Sequence, residues 1–253
     1  MTTSNTTRQQ SARRRRLTAV LLSLAALLLL SLPIAAEFTQ EFPVSDCGWS
    51  NRGGNRYMSL EPGTYNDLEG MEDGAVIRQL ITILPWTRAL FFKDQNDRLI
   101  FVRTRVLEER EWEDGELVEV SRNFVARCIE TGDIYYFGEE VDDYEDGEIV
   151  SHEGAWRVGR NGALPGILMP GSILQGAKYY QENALADEAV DRVENAEMGL
   201  DVDTPAGSFS DCFTTVETTE LEPGDESEKQ FCPGIGVVVD EDLVLVDYGV
   251  IAP

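Results

Sequence analysis

His152 is the only histidine in the chain, so any Ser-His-Asp or Cys-His chemistry would have to pass through it. No Gly-x-Ser-x-Gly elbow accompanies it, and catalytic zinc generally takes two or three His ligands. What remains is carboxylate chemistry. Glu139 and Glu182 are the pair that a hydrolase could use, with glycosidase geometry asking for carboxyls roughly 5 to 10 Å apart around an open cleft. Glu139 has a second candidate partner. Asp146-Gly147 is the dipeptide favoured in two-residue type I′ hairpin loops, because both residues tolerate positive φ. Such a loop pairs Phe137 with Trp156, Tyr135 with Val158, Val141 with His152 and Glu139 with Gly154. Side chains alternate faces along a strand, which places Glu139 and His152 as diagonal neighbours on the apolar face. A carboxylate and an imidazole in a covered site shift each other's pKa, and such pairs are enriched at functional sites; the plainer reading is a core histidine bonded to Glu139.

Two other constellations carry chemistry. Trp156, Tyr136 or Phe137, and Tyr180 could line a ligand cavity with Glu139 or Glu182 as its polar group, although aromatic residues more commonly pack a core. Asp142 to Glu153 has the outline of an EF-hand loop, but Tyr144 stands at the third ligand position and the flanks read as strands. A looser Ca²⁺ site among Asp142, Asp143, Asp146 and Glu148 is the remaining metal reading; otherwise these acids form a solvated hairpin tip. No other cofactor is expected. Gly234-x-Gly236 leads into a strand, not the helix that a dinucleotide loop requires.

The elements that must position these residues are short strands. Ala75 to Leu84 reads as a strand ended by Pro85. Ala89–Phe92 and Leu99–Val106 flank a polar turn. Trp112–Val118 (WEDGELV) is echoed by Tyr144–Val150 (YEDGEIV), 32 residues later. Aligning Val102 with Cys128, Val106 with Phe124 and Trp112 with Val118 requires a three-residue loop or a bulge in the first copy. Two successive hairpins describe an antiparallel meander. A Gly/Pro-rich loop follows Trp156. Lys178–Glu182 resumes a strand, Ala184–Glu197 is ambiguous between helix and strand, and further strands fall at Met198–Val202, Gly207–Glu217, Gln230–Val239 and Leu243–Val246. The fold class is all-β: an antiparallel meander forming a barrel, half-barrel or sandwich.

Residues 1–36 read as a signal peptide. Arg8 and Arg13–Arg16 precede the apolar run Leu17–Leu32 and a small-residue end at Ala35-Ala36; an uncleaved signal helix serving as anchor is the alternative. Residues 37–253 form one β-rich domain in this reading. Without the five arginines of the first segment, 16 basic residues stand against 46 acidic ones, a net charge of −30. That excludes nucleic acid as a partner and leaves the membrane only through the N-terminal segment. The expected location is the periplasm, cell surface or medium. Four cysteines in an exported chain suggest two disulfides, with Cys212–Cys232 flanking a hairpin and Cys47–Cys128 left to pair.

From Asn123 to Gly236 the chain resembles a family of exported bacterial proteins of unknown function. The matching pieces are Asp133-Ile-Tyr-Tyr-Phe-Gly-Glu139, Gly154-Ala-Trp156, Asn161 to Pro170 (NGALPGILMP), Tyr180-Gln-Glu182, Pro205-Ala-Gly207 and Pro233-Gly-Ile-Gly236. Asn55 to Gly63 resembles the family's N-terminal strand entry, and Cys232 departs from it by replacing a small residue. The resemblance implies an exported β-rich domain and supplies no catalytic residues. The expectation is therefore a binding or envelope accessory protein for an unknown small molecule or envelope protein. A carboxylate hydrolase and a calcium-binding or matrix protein are the alternatives.

Overall fold

The computed structural model describes residues 37–251; the expected signal segment lies outside them. Its strands are β1 (Trp49–Ser50), β2 (Thr64–Glu72), β3 (Ala75–Lys93), β4 (Leu99–Glu113), β5 (Glu116–Cys128), β6 (Ile134–Glu145), β7 (Glu148–Ser151), β8 (Gly166–Met169), β9 (Lys178–Tyr180), β10 (Asp191–Thr204), β11 (Gly207–Thr219), β12 (Ser227–Cys232), β13 (Gly236–Asp240) and β14 (Leu243–Val250). All fourteen belong to one antiparallel sheet, and the only helical pieces among the described residues are two 3₁₀ turns. No described helix is long and apolar enough to cross a membrane.

Two meanders make the sheet. β2 to β7 pair in chain order, β9 to β14 do the same, and the two are joined where β14 pairs with β2, for example Tyr65 with Gly249. Short β7 occupies only the Asp143–Glu145 end of β6, which leaves Ile134–Tyr136 free to pair with β8. The sheet is not closed into a barrel, yet its two halves meet across β8 and the segment after β9. Leu164 N–H donates to Asn183 O at 2.9 Å, and a Cβ added at Gly166 would lie 2.0 Å from Gln181 O, so only glycine permits this approach. Asn55 ties the chain before β2 to the β5–β6 turn and the end of β8, donating from Nδ2 to the carbonyls of Gly132, Met169 and Pro170.

Asp73-Gly74, Asp114-Gly115 and Asp146-Gly147 all have positive φ at both residues, the signature of type I′ turns. The β4–β5 ladder aligns Val106 with Phe124, then shifts by one residue between Glu111 and Trp112, so a bulge and a two-residue turn replace the three-residue loop. Val102 and Cys128 are not partners in that ladder, since Cys128 pairs with Trp49 of β1.

Pro85 does not end its strand. β3 runs through it to Lys93, with the register against β4 shifting between Ile83 and Thr87. Pro85 brings no N–H into the ladder, so a bulge there costs few backbone bonds. The carbonyls it releases are collected by buried Arg105, whose Nη1 donates to Leu84 O, Pro85 O and Trp86 O at 3.3, 2.9 and 3.3 Å while Nε reaches Asn51 O at 3.0 Å. The ambiguous stretch after Ala184 is a 3₁₀ turn at Leu185–Asp187 followed by β10. The expected strand Gln230–Val239 is two strands, β12 and β13, separated by Pro233-Gly234-Ile235.

Both expected disulfides form. Cys47–Cys128 fastens the chain before β1 to β5, and Cys212–Cys232 clips β11 to β12. They fit an oxidising compartment. A large core centred on Phe124, Tyr135, Phe137 and Phe213 lies at the β5–β6 end; a smaller one, containing the second disulfide with Leu68, Val238 and Leu245, lies under β13 and β14.

Candidate ligand cavity

A bulge in β6 decides which side chains share a face. Asn123 pairs with Glu139 but Val125 pairs with Tyr136, so Phe137 and Gly138 together oppose the single residue Phe124. Gly138 sits at φ +124°, and a Cβ there would lie 2.4 Å from Trp156 O. The extra residue switches the alternation. Tyr135 and Phe137 turn into the core, where Trp49 packs edge-on against both at 5.2 Å between ring centroids. Tyr136 and Glu139 turn the other way, toward a cavity of about 240 Å³.

The placement of Glu139 among Tyr135, Phe137 and His152 is therefore corrected. The hairpin tip has the expected register, Glu145 with Glu148 and Tyr144 with Ile149, but it shifts by one residue at Asp143–Ser151. Beyond it Gly138 bridges Arg157, and Trp156 does not pair with Phe137. His152 is 66% exposed, its Nδ1 lying 2.7 Å from Val141 O and 3.1 Å from Asp142 Oδ1. It is neither a core histidine nor a partner of Glu139.

Both meanders contribute to the cavity wall. Ile81, Ile83 and Leu107 (β3, β4), Leu168 (β8) and Phe231 (β12) form its apolar part. Beside them, Glu109 pairing with Ile81 for example, stand two sets of ionisable groups. In the first, the Glu139 and Glu182 carboxyls are hydrogen-bonded to each other, Tyr136 is hydrogen-bonded to Asn123 and Glu139, and Trp156 Nε1 donates to Glu182 Oε1 at 3.1 Å. Burial raises the pKa of both carboxyls; at Glu139 the hydrogen bond to Glu182 offsets part of that rise, whereas at Glu182 the Glu139 carboxyl adds to it. In the second set, Lys229 Nζ lies 3.2 Å from Glu217 Oε2 and 3.5 Å from Asp240 Oδ2, one ammonium serving carboxylates on both neighbouring strands. Burial opposes the charge on Lys229, but Glu217, Asp240 and Glu109 together hold its pKa well above the ordinary lysine value.

Glu109 on β4 and Glu119 on β5 complete the wall. Burial pushes Glu109 up to about 7, partly offset by Lys229 and reinforced by Asp240, Glu139 and Glu119. Burial and then Asp143 raise Glu119. Asp191 is raised by burial as well. These side chains keep some accessible area, Lys229 27% for example, because they face the cavity and not packed atoms. They are desolvated by the surrounding sheet while still touching a space that admits small molecules.

Of the residues singled out in the sequence, Tyr136, Glu139 and Glu182 line this cavity, and Trp156 stands behind Glu182 as its hydrogen-bond donor. Phe137 belongs to the core. Tyr180 turns away, its hydroxyl bonded to Glu220 and its ring edge-on to Phe38 at 6.4 Å. The acids of the β6–β7 tip do not converge. Asp142 is bound by Arg122 at 2.8 Å and His152, within a chain of ion pairs running on through Glu108 to Arg110. Asp146 and Glu148 are exposed, and no three carboxylates of this group approach one another closely enough to share an ion among the described residues. The sequence reading missed Lys229, Glu109, Glu119, Glu217, Asp191 and Asp240. Lys229 had a signal, being one of only three lysines in the chain.

The chain matches no family model, no curated protein and no solved structure. Of the residues in the motifs quoted above, Tyr136, Glu139, Leu168, Gln181, Glu182, Ile235 and Gly236 line the cavity, whereas Pro205-Ala206-Gly207 lies at the β10–β11 turn.

Proposed function

We propose that the protein is an exported binding protein that holds a small organic ligand in the cavity between its two meanders. The observation that carries this reading is the cavity itself. It is lined by Ile81, Ile83, Leu107, Leu168 and Phe231 interspersed with hydrogen-bonding and ionisable groups, the mixed lining expected of a ligand site. Buried ionisable groups lower stability unless something compensates, and keeping several around one cavity is the pattern of a site adapted to an occupant. The disulfides and the apolar N-terminal run support export.

The same residues weigh against a glycosidase. Glu139 and Glu182 bond directly to each other, whereas a retaining or inverting pair stands roughly 5 to 10 Å apart with the sugar between. A hydrolase built on this pair would have to act through two carboxyls in direct contact, and its substrate would have to reach them within the cavity. Native mass spectrometry of the protein taken from its own host envelope tests binding. The expected result is a retained small-molecule mass that disappears in Ser121→Phe, which fills the cavity from β5. Host-purified protein of bare polypeptide mass, indistinguishable from that variant apart from the substitution, would count against the reading.

A further inference from the structure

We propose that the ligand is a small organic cation, an ammonium or amidinium group on a short apolar body, whose charged end is received by Glu109 and Glu119. This rests on the cavity being a binding site and adds the chemistry of its occupant.

Seven carboxyl groups line the cavity against one cation, and that cation is already engaged, since Lys229 is held between Glu217 and Asp240. Glu139 and Glu182 satisfy each other, Tyr136 and Trp156. Glu109 and Glu119 differ. Both line the cavity, and among the described residues neither side chain has a hydrogen bond or an ion pair. In the β4–β5 ladder Glu109 faces Ser121 and Glu111 faces Glu119, so Glu109 and Glu119 are diagonal neighbours on one face, with Cβ atoms about 7 Å apart. Two carboxylates at that separation can accept from one donor group placed between them. Ser121 and Asn123 extend the same face with further hydrogen-bonding groups.

The other ligand classes fit less well. An anion would meet the carboxylates with only a committed lysine to balance it. A neutral molecule lacking O–H or N–H groups would leave Glu109 and Glu119 without donors, and one that has them offers weaker bonds than an ammonium does. A bare metal ion would need oxygens already drawn together, and no three of these carboxylates are. An organic cation carries its own spread of N–H donors and needs no such convergence. Its body would lie against Ile81, Ile83 and Leu107. A cavity of about 240 Å³ lies below the range of drug-sized ligands, so the cation is a small one.

The test is calorimetric titration of the full mature protein at pH 7.5 with primary amines from butylamine to hexylamine and with benzylamine. The shape-matched alcohols and carboxylates are titrated in parallel. The expected result is that at least one amine binds at least tenfold more tightly than its alcohol, that its carboxylate does not bind, and that Glu109→Gln and Glu119→Gln each weaken the amine tenfold or more while melting at or above the wild-type temperature. If an alcohol or carboxylate binds as tightly as its amine, the cation assignment is overturned and the cavity remains a binding site. If no amine binds, the assignment is overturned as well, and retained ligand in host-purified protein then decides separately whether the cavity binds anything.

Discussion

Glu109→Gln should make the protein more stable at neutral pH, and the size of the gain follows from where Glu109 sits. The substitution keeps shape and volume but removes the ionisable proton. In the fold the Glu109 carboxyl titrates near 7 instead of 4.5, chiefly because burial disfavours its charge. Between those two values the native state holds a proton that the unfolded chain has released. Stability therefore falls as pH rises through that window, the reverse of an acid held by a salt bridge. Below pH 4.5 both states are protonated and the glutamine gains nothing. Above pH 7 both are ionised, and the fold bears the full desolvation of a carboxylate, roughly 2–3 kcal/mol after allowing for the side chain's contact with the cavity. For a domain of this size 1 kcal/mol moves Tm by about 2–4 °C. Thermal melts followed by circular dichroism at pH 4.5, 6 and 8 should show wild type and Glu109→Gln coinciding at the lowest pH and separating by roughly 5–10 °C at the highest. A separation that does not change with pH, or a glutamine variant that melts lower at pH 8, would refute the reasoning. The second outcome would mean that ionised Glu109 gains more from Lys229 than it loses by burial.

Three further perturbations probe the framework around the cavity. Gly138→Ala puts a Cβ against Trp156 O at 2.4 Å in a left-handed backbone conformation; it should cost more than about 2 kcal/mol and shift the tryptophan fluorescence as Trp156 moves off Glu182. Arg105→Ala strips donors from the carbonyls of Leu84, Pro85, Trp86 and Asn51 and should cost about 3–5 kcal/mol in urea unfolding, with Arg105→Lys recovering only part because an ammonium lacks the planar fork. The two disulfides close loops whose ends are 81 and 20 residues apart, so Cys47→Ser/Cys128→Ser should lower stability by about 4–5 kcal/mol and Cys212→Ser/Cys232→Ser by about 3 kcal/mol. A larger loss from the shorter loop in denaturant titrations would show that strain or packing, not loop length, sets the order.

The strands were legible wherever a local rule governs them, and the site was hidden wherever two distant rules meet. Asp-Gly turns need only two residues to declare themselves, so the Asp146-Gly147 tip could be placed to the residue. Cysteine pairing followed from an even count and one hairpin. Register read outward from a turn holds only until the first bulge, and Gly138 is such a point. As a lone glycine inside a strand pattern it is a known bulge signal, yet nothing within β6 says that Trp156 O will occupy the space a side chain there would need, 2.4 Å from where a Cβ would stand. One unread residue moved Glu139 from the core face to the cavity face and dissolved its pairing with His152. Pro85 misled for a related reason: its local meaning is strand end, and the guanidinium that lets the strand continue lies twenty residues away at Arg105. The carboxylates were hidden differently. Glu109-x-Glu111 and Glu119-x-Ser121-x-Asn123 show the alternation of a half-buried strand, whose polar face is ordinarily solvated. That face becomes the inside of a cavity only because β14 returns to pair with β2 and carries the second meander, with Glu217, Lys229 and Asp240, around to confront it. A period-two pattern records that one face is polar; whether that face meets water or a facing wall is fixed by contacts between the first and last strands of the sheet.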